Sequence, residues 1–454
     1  MDITGYIEYN ENVYTFSYKN NYLTLIICDQ SADKDTESYF FRKKEKVSFF
    51  NGLTSDGFNI SFYIDNYITK WNGTYRCFPK LVFMALNREI DFNKTKFNSI
   101  KFVGGVIDRF YSNRKIVESD LLKFRDTKEL KFKKAENTVE EENITINNKS
   151  AVFQISVSNM GWTDDGSIHS DDIHSVIRLK YKRKIKFTEF VDPILTINDM
   201  MFFCLNRRYV KYNNIYLETK TDDNTKYVNS VSIYMPTKEQ EFSQKNMLQY
   251  QHISKKLNKL IKVLSNMRYS TYRIPKNEEE YSNISASMYT SAFSAYQSIY
   301  NYTHEKNGIV HDYQEFEDLK NELCELIDGV SEKYKGIDSK KRKFAESFSN
   351  LVKKSNLKLE DMIICGAEEF PFIVNTLPDK KYKDILGDLK GSVIEAVSDR
   401  DLITHNDVFA PTDTDVAVYL LLERITYSMI LKKIGLNKKM LEDIVSHLSL
   451  LKII

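Results

Sequence analysis

The chain has little proline and glycine, with 7 Pro and 15 Gly in 454 residues. Its hydrophobic share of 42% is enough to build packed cores, so the composition indicates a globular protein and excludes a disordered one. No segment approaches the roughly 18 apolar residues that a membrane-spanning helix needs, and no basic region followed by an apolar one opens the sequence. We therefore expect a cytoplasmic protein that makes no use of a membrane.

The chain also lacks a strong net charge, since 65 basic and 63 acidic residues leave a formal charge of +2. This balance disfavours an avid, non-specific DNA binder, and any affinity for nucleic acid must come from local patches. The five cysteines are widely spaced and form no C-x-x-C pair, which predicts reduced thiols. They are Cys28, Cys77, Cys204, Cys324 and Cys365.

Several motifs of enzymes are missing. The sequence contains no glycine-rich nucleotide loop, no G-x-S-x-G and no H-E-x-x-H, which disfavours an ATPase, a dehydrogenase and a serine hydrolase. We expect no cofactor. One cluster has metal-ligand residue types, namely Asp164, Asp165, His169, Asp171, Asp172 and His174. It has neither an i, i+4 His pair nor an EF-hand spacing, so we interpret it as a polar loop and expect no metal.

The hydrophobic pattern divides the chain in two. Up to Pro236, short runs of β-type residues alternate with Asn, Asp and Gly clusters, which predicts a sandwich-like or curled antiparallel sheet. The clearest strand is 177–187, where Arg178, Lys180, Lys182, Lys184 and Lys186 alternate with apolar residues. A helix is predicted over 197–207. Proline and a polar stretch then mark a boundary, giving a β-rich domain over 1–238 and a second domain over 239–454.

The second domain has the 3.6-residue period of helices. Predicted helices cover 247–269, 284–303, 315–334, 340–353, 359–375, 382–397, 413–434 and 438–451. Thr412 and Asp415 predict a capping box at the start of the helix over 413–434. That helix is apolar almost all round, as is typical of the central member of a bundle or of a dimer interface. The fold class is therefore α+β, with a β-rich domain followed by an all-helical bundle.

Chemistry is suggested by Arg400-Asp401-Leu402-Ile403-Thr404-His405, which the pattern places where one bundle helix ends. An imidazole can take a proton from a ribose hydroxyl, while a guanidinium stabilises the charge that grows on the phosphate. Among the seven His residues, only His405 follows an Arg at this spacing in a connection between bundle helices. The pair predicts a ribonuclease.

A helical bundle with Arg, four to six residues and then His between two of its helices resembles a HEPN domain, over about residues 290–454. The string from Val397 to Asp407 is similar to the ApeA-like subgroup, with Asp401 where Asn is more usual. A β-rich domain before the bundle also resembles ApeA proteins, which act in antiphage defence.

The resemblance implies a metal-independent endoribonuclease whose site is completed by dimerisation. Arg400 would bind the scissile phosphate, His405 would act on the ribose 2′-hydroxyl, and Asp401 would orient one of these side chains or maintain the turn. The products would have 2′,3′-cyclic phosphate and 5′-hydroxyl ends. It further implies a homodimer acting on RNA, with transfer RNA as one candidate, and a β-rich domain that responds to an unknown phage-derived trigger.

Other interpretations remain open. Arg400 and His405 could simply stabilise a helix C-terminus, and a HEPN bundle could bind RNA or nucleotide, or another protein, without cleaving. A metal-dependent nuclease built on the loop 164–174 is a weaker alternative. The basic run Lys340, Lys341, Arg342 and Lys343 is a candidate RNA contact, or else a solvated helix face. The cations of the strand over 177–187 have the same two interpretations.

Overall fold

The protein is described from a computed structural model. The structure describes residues 2–28, 43–71, 74–111, 139–159, 173–206, 210–221, 226–236, 247–266, 284–306, 309–310, 314–353, 358–405 and 409–447. The chain divides into two compact units. Unit 1 comprises Met1–Cys204, Tyr209–Glu241 and Gln249–Ile261, and unit 2 comprises Leu205–Arg208, Phe242–Leu248 and Lys262–Ile454.

Thirteen antiparallel strands dominate unit 1 within the described residues. They are β1 Ile3–Tyr9, β2 Asn12–Lys19, β3 Tyr22–Ile27, β4 Lys43–Thr54, β5 Asn59–Trp71, β6 Thr74–Cys77, β7 Leu81–Ala85, β8 Lys96–Val103, β9 Glu140–Ile146, β10 Lys149–Asn159, β11 Ile173–Lys186, β12 Asn214–Lys220 and β13 Tyr227–Tyr234. Their order is β4-β1-β2-β3-β6-β5-β7-β13-β12-β8-β11-β10-β9, with a further pairing of β4 with β5. The sheet is therefore curled, because that extra pairing closes the first six strands into a ring.

Two glycines allow the ring to close where β1 pairs with β4. A Cβ atom on Gly5 would lie 2.0 Å from the carbonyl oxygen of Leu53, and one on Gly52 would lie 2.2 Å from the carbonyl oxygen of Tyr6. Real Cβ atoms do not approach backbone so closely, so the two strands can pair here only without side chains. Inside the ring lies an aromatic and aliphatic core that includes Phe16 and Phe62, whose ring centroids are 5.3 Å apart.

The other seven strands continue as an open sheet that shares β5 with the ring. Helix α1, Val106–Phe110, follows β8, and helix α2, Val191–Leu205, follows β11. Ile194, Ile197 and Met201 of α2 are fully buried, so this helix contributes to the core of the unit. Two short helices, α3 Tyr250–Ile253 and α4 Leu257–Asn266, end the unit and pass into unit 2.

Unit 2 is a helical bundle. Its helices are α5 Ala286–His304, α6 Gln314–Lys333, α7 Ser339–Lys353, α8 Leu359–Glu369, α9 Lys380–Ile385, α10 Leu389–His405, α11 Asp413–Lys433 and α12 Lys438–His447. A two-residue ladder, Glu305–Lys306 with Ile309–Val310, interrupts the helices. All 17 residues from Asp415 to Leu431 are buried, and α11 packs against α5, α8, α9, α10 and α12. Helix α11 is thus the central member of the bundle.

The predicted fold class is confirmed: an antiparallel β-sheet region precedes a helical region. Several details differ. No strand is predicted at β4, β6, β8 or β9, and the single helix predicted over 247–269 corresponds to the two helices α3 and α4. The helix predicted over 382–397 is instead α9, a 3₁₀ turn at Leu386–Asp388 and then α10, which continues eight residues past Val397.

None of the five cysteines forms a disulfide, and Cys204 and Cys324 are buried while Cys28 is exposed. Burial raises the pKa of the Cys77 thiol to about 12, so this thiol stays protonated at neutral pH. Within the described part of the chain, no helix combines the length and the apolar character needed to cross a membrane.

We predict that Gly5→Ala destabilises unit 1 by about 1–3 kcal/mol, because the new methyl group collides with backbone of β4. Gly329→Ala is the matched control, since a Cβ atom at this position within α6 meets nothing within 4 Å. Thermal unfolding followed by circular dichroism measures both. Equal melting temperatures for Gly5→Ala and wild type would show that β1 and β4 do not approach as described.

Candidate functional site

The Arg400 to His405 motif lies on the last turns of α10, not in the connection that follows it. The helix runs without a break from Leu389 to His405. Val393, Ala396 and Val397 are buried, and Arg400 comes seven, four and three residues after them. Residues at these spacings share one face of a helix, so Arg400 extends the buried face of α10.

Arg400 is a half-buried cation with one carboxylate partner. Its side chain is 26% exposed, and Nη1 donates to Oδ1 of Asp401 at 2.7 Å. The Nε atom is buried and has no hydrogen-bond partner among the described residues. A buried charged donor without an acceptor is costly, by about 1–3 kcal/mol or more. The guanidinium is therefore suited to an additional anionic acceptor.

The backbone places His405 on a different face of α10 from Arg400. Five residues of α-helix correspond to a rotation of about 140° and a rise of about 7.5 Å. His405 shares its face with the positions of Asp401 and Leu402, whose side chains are exposed. The side chain of His405 lies outside the part of the protein that the structure describes. One continuous helix thus separates the two positions, where the sequence analysis expected a turn to hold them together.

A buried hydrogen-bond network joins α10 to two other helices next to the motif. The Tyr289 hydroxyl of α5 donates to Oδ1 of Asp415 at 2.5 Å and lies 2.9 Å from the carbonyl oxygen of Ala396. Oδ2 of Asp415 accepts from the backbone N–H and the hydroxyl of Thr412, both at 2.9 Å. The backbone N–H of Asp415 donates back to Thr412 Oγ1 at 3.1 Å. The predicted capping box is confirmed, and it has a second role as an anchor for Tyr289 and α10.

Burial shapes the protonation of this network. It raises the pKa of Tyr289 well above its ordinary value, and the hydrogen bond to Asp415 adds to the shift, so the hydroxyl remains a donor. Burial, and then the negative charge of Asp415, raises the pKa of Asp399, the residue before Arg400. Phe409, which follows the motif, packs its ring 5.0 Å from that of Tyr289. Tyr289 of α5 therefore contacts both Ala396 of α10 and Phe409, which precedes α11.

The four basic residues over 340–343 lie in the first turn of α7 and are exposed. Asp338 caps this helix, because its Oδ1 accepts from the backbone N–H groups of Lys340 and Lys341. Arg342 forms an ion pair with Glu346 at 2.8 Å. Local acidic residues thus compensate part of the charge, and an RNA contact by this cluster stays a prediction.

The cations of β11 do not form one uniform row. Arg178 makes a two-pronged ion pair with Glu218, which is only 1% exposed, with N–O distances of 2.8 and 3.0 Å. The pairing of β11 with β8 is interrupted between Lys180 and Ile185, which breaks the alternation seen in the sequence. Because Arg178 is already engaged by a buried carboxylate, phosphate contact by this strand remains a prediction for the exposed cations alone.

Two further histidines have acidic partners. His174 lies in β11 rather than in a loop, with Nδ1 3.1 Å from Asp108 and Nε2 3.2 Å from Asn213. Both ring nitrogens are occupied, as suits a structural histidine. The other acidic and His residues of the cluster over 164–172 lie outside the described residues. No group of three or more His, Cys, Asp or Glu in the described part of the chain could hold a metal ion.

At the end of α5, His304 Nε2 lies 3.6 Å from Glu369 Oε2, and Lys432 also pairs with Glu369. Burial raises the pKa of Glu369, but the hydrogen bonds from His304 and Lys432 outweigh it and leave that pKa below its ordinary value. The Tyr300 ring stacks on His304 at 4.1 Å. This cluster joins the ends of α5, α8 and α11.

Sequence reasoning missed Tyr289, which is more than a hundred residues from the motif in the chain. It also missed the buried Glu423 and Arg424 in the middle of α11, where Arg424 Nη1 donates to the carbonyl oxygen of Leu420 at 3.1 Å. The signal for them in the sequence was two adjacent charged residues in the middle of an otherwise apolar helix. The Tyr419 hydroxyl donates to Oε1 of Glu423 at 3.2 Å. Both residues follow Asp415 at intervals of four and so lie on the same side of α11.

No protein-family model, curated protein or solved structure matches this chain. The family resemblance therefore rests on the motif residues and on the order of the two units, and it enters the functional interpretation as a proposal.

We predict that Tyr289→Phe lowers the free energy of unfolding of the bundle by about 1–3 kcal/mol, because it leaves acceptor atoms of Asp415 and Ala396 buried without their donor. The phenyl ring keeps the packing against Phe409. Tyr6→Phe is the control, since that side chain is 57% exposed. Denaturant unfolding of both variants measures the difference, and a Tyr289→Phe curve equal to that of wild type would contradict the anchoring role.

Proposed function

We propose that the protein is a metal-independent endoribonuclease of the HEPN type that acts in antiphage defence. The 2′-oxygen of a ribose attacks the adjacent phosphorus, and the bond to the 5′-oxygen breaks. His405 accepts the proton from the 2′-hydroxyl, and the leaving 5′-oxygen takes up a proton. Arg400 stabilises the negative charge on the phosphate oxygens during this step. The products have 2′,3′-cyclic phosphate and 5′-hydroxyl ends.

The observation that carries the proposal is the state of Arg400. Its guanidinium has a single carboxylate partner, the neighbouring and exposed Asp401, and its buried Nε has no acceptor among the described residues. Arginine presents donors in a planar arrangement that matches two phosphate oxygens. A phosphodiester would supply the acceptor that the described residues do not supply. Asp401 then orients the guanidinium, as the motif suggests.

The helical separation of the two positions favours a site built from two chains. With Arg400 and His405 on different faces of α10, two copies related by a two-fold axis can bring the guanidinium of one to the imidazole of the other. We therefore propose that the active form is a homodimer and that the composite site cleaves RNA, with transfer RNA as one candidate. The β-rich unit is proposed to hold the nuclease inactive until a phage-derived trigger arrives, as in abortive infection, in the cytoplasm.

We predict that the purified protein cleaves total RNA in the presence of EDTA, and that Arg400→Lys, Arg400→Ala and His405→Ala each lower the rate by about a hundredfold or more. Lys390→Ala is the control, because Lys390 is exposed on the same helix. Gel analysis and end-labelling identify the products, and circular dichroism verifies folding. Equal cleavage by wild type and all folded variants would contradict the proposed site. Loss of cleavage in EDTA would indicate a metal-dependent nuclease.

Mixing two inactive variants tests the composite site. If Arg400 of one chain acts with His405 of the other, a dimer of Arg400→Ala with His405→Ala contains one intact site out of two. Random exchange of subunits then restores about a quarter of the wild-type activity. If both residues act within one chain, the mixture stays inactive. Each variant alone, taken through the same exchange, is the control.

The competing proposal is a HEPN module that binds RNA, nucleotide or a protein partner without cleaving it. The divergence of the Arg400 and His405 positions on one helix favours this alternative if the protein does not dimerise. Binding of RNA that is weakened in Arg400→Ala, together with absent cleavage under all conditions, would support it.

A further inference from the structure

Three lysines in the open sheet of unit 1 are partly buried next to one another. Lys101 is in β8, Lys180 is in β11 and Lys220 is in β12, and we call these three residues the lysine cluster. Lysine side chains are mostly exposed, and they are seldom buried without a partner of opposite charge. A partly buried group of three lysines in the middle of a sheet therefore calls for a counter-charge.

The strand register places the lysine cluster on one face of the sheet. Lys101 is opposite Arg178, and Lys180 is opposite Ser99. Ser99 is in turn opposite Glu218 of β12, which comes two residues before the lysine of that strand. Opposite residues of an antiparallel pair point to the same side of the sheet, and so do residues two apart in one strand. Three neighbouring strands therefore contribute one lysine each to the same surface.

Tyr227 of β13 lies in the middle of this surface. The cationic groups of Arg178, Lys180 and Lys220 are 5.3, 5.5 and 5.6 Å from the centroid of its ring. The face of an aromatic ring attracts a cation, but the ring has no net charge. Tyr227 therefore brings three cations together without neutralising them.

A buried carboxylate on the same face is used by other donors. Oε2 of Glu218 accepts from Ser99 Oγ at 2.5 Å and from Arg178 Nε at 2.8 Å, and Oε1 accepts from Arg178 Nη2 at 3.0 Å. Within the described part of the chain, no carboxylate forms an ion pair or a hydrogen bond with an ammonium group of the lysine cluster. Each ammonium group has three donors, so the cluster has donors for a ligand.

Positive charge is in excess on this surface. Among the described residues, the charges that act on Lys101 and Lys180 include those of Arg178 and Lys220 and of the carboxylates Glu141 and Glu218. Four cations thus face two carboxylates, which leaves two positive charges. Burial lowers the pKa of Lys101 and of Lys180, and the charge of Arg178 adds to both shifts. A bound dianion would supply the missing charge.

We propose that the lysine cluster is a binding site for the phosphate group of a small molecule, such as a phosphomonoester or a nucleoside diphosphate. A phosphate group of this kind carries about two negative charges at neutral pH, which equals the excess on the surface. Its oxygens can accept hydrogen bonds from several directions, and the three ammonium groups come from three different strands. Lysine suits this task, because its ammonium group binds phosphate as a compact point charge.

A polynucleotide backbone is a poorer ligand for the lysine cluster. Its phosphates are diesters with one negative charge each, and they are spread along the strand. The lysine cluster is compact, and it is distinct from the exposed Lys182, Lys184 and Lys186 further along β11. The proposal does not depend on RNA cleavage by the motif in α10, so either can fail while the other stands.

Titration of the full chain with sodium pyrophosphate, and separately with ATP, tests the site by isothermal calorimetry at constant ionic strength. Wild type should bind both ligands saturably. Lys101→Met with Lys180→Met should raise the dissociation constant more than about tenfold, because two of three phosphate-binding charges are lost. Lys182→Met with Lys184→Met is the matched control and should bind like wild type. Arg400→Ala should also bind like wild type, which separates this site from the motif in α10.

Thermal unfolding of the same variants distinguishes a ligand site from a structural role. Without ligand, the variant that lacks Lys101 and Lys180 should melt at the wild-type temperature or above it, because two partly buried like charges are removed while the aliphatic stems stay. Pyrophosphate should raise the melting temperature of wild type and not that of this variant.

Three results would overturn the proposal. The first is the absence of saturable binding of either ligand to wild type. The second is equal binding by wild type and the variant that lacks Lys101 and Lys180, or a lower melting temperature of that variant without ligand. The third is an oligoribonucleotide with a 5′-hydroxyl end that binds through the lysine cluster while pyrophosphate does not, since the surface would then contact a polynucleotide backbone.

Discussion

The arrangement of the motif depends on the hydrogen bonds that the carboxylate of Asp415 accepts. It is 1% exposed, and a buried charge of this kind is tolerated only when hydrogen bonds replace the water it has lost. Its donors come from Tyr289 in α5 and from Thr412 at the start of α11, and the same tyrosine hydroxyl reaches the carbonyl oxygen of Ala396 in α10. Three helices are thereby tied within one turn of Arg400.

The second constraint is the complete burial of α11. From the sequence alone, a helix that is apolar on every side has two interpretations: it is the centre of a bundle, or it is part of an interface between chains. The structure decides for the first, because Asp415 to Leu431 are buried within a single chain. Dimerisation thus remains a proposal that the burial of α11 does not support.

Local pattern predicted most elements in both units. The strand predicted over 177–187 overlaps β11, and α11 begins at the predicted cap. The failures have physical causes. β4 contains a run of lysines and two adjacent phenylalanines, which interrupt the alternation of polar and apolar residues typical of a strand. Its place in the sheet depends on the close pairing with β1 that the two glycines allow. The end of α10 was misplaced because nothing in the residues after Val397 stops a helix, and packing against α11 lets it continue to His405.

The sequence by itself determined the order of the two units, the class of each, the capping box at Thr412 and the residue types of the motif. These properties depend on neighbours within a few residues, whose backbone preferences and hydrophobic period are written in the chain. Only the tertiary structure decided which faces are covered. It paired Tyr289 with Asp415, engaged Arg178 with Glu218, separated Arg400 from His405 on one helix and left Phe344 exposed. Burial and charge pairing join residues that are distant in the chain, and no local pattern records which of them will meet.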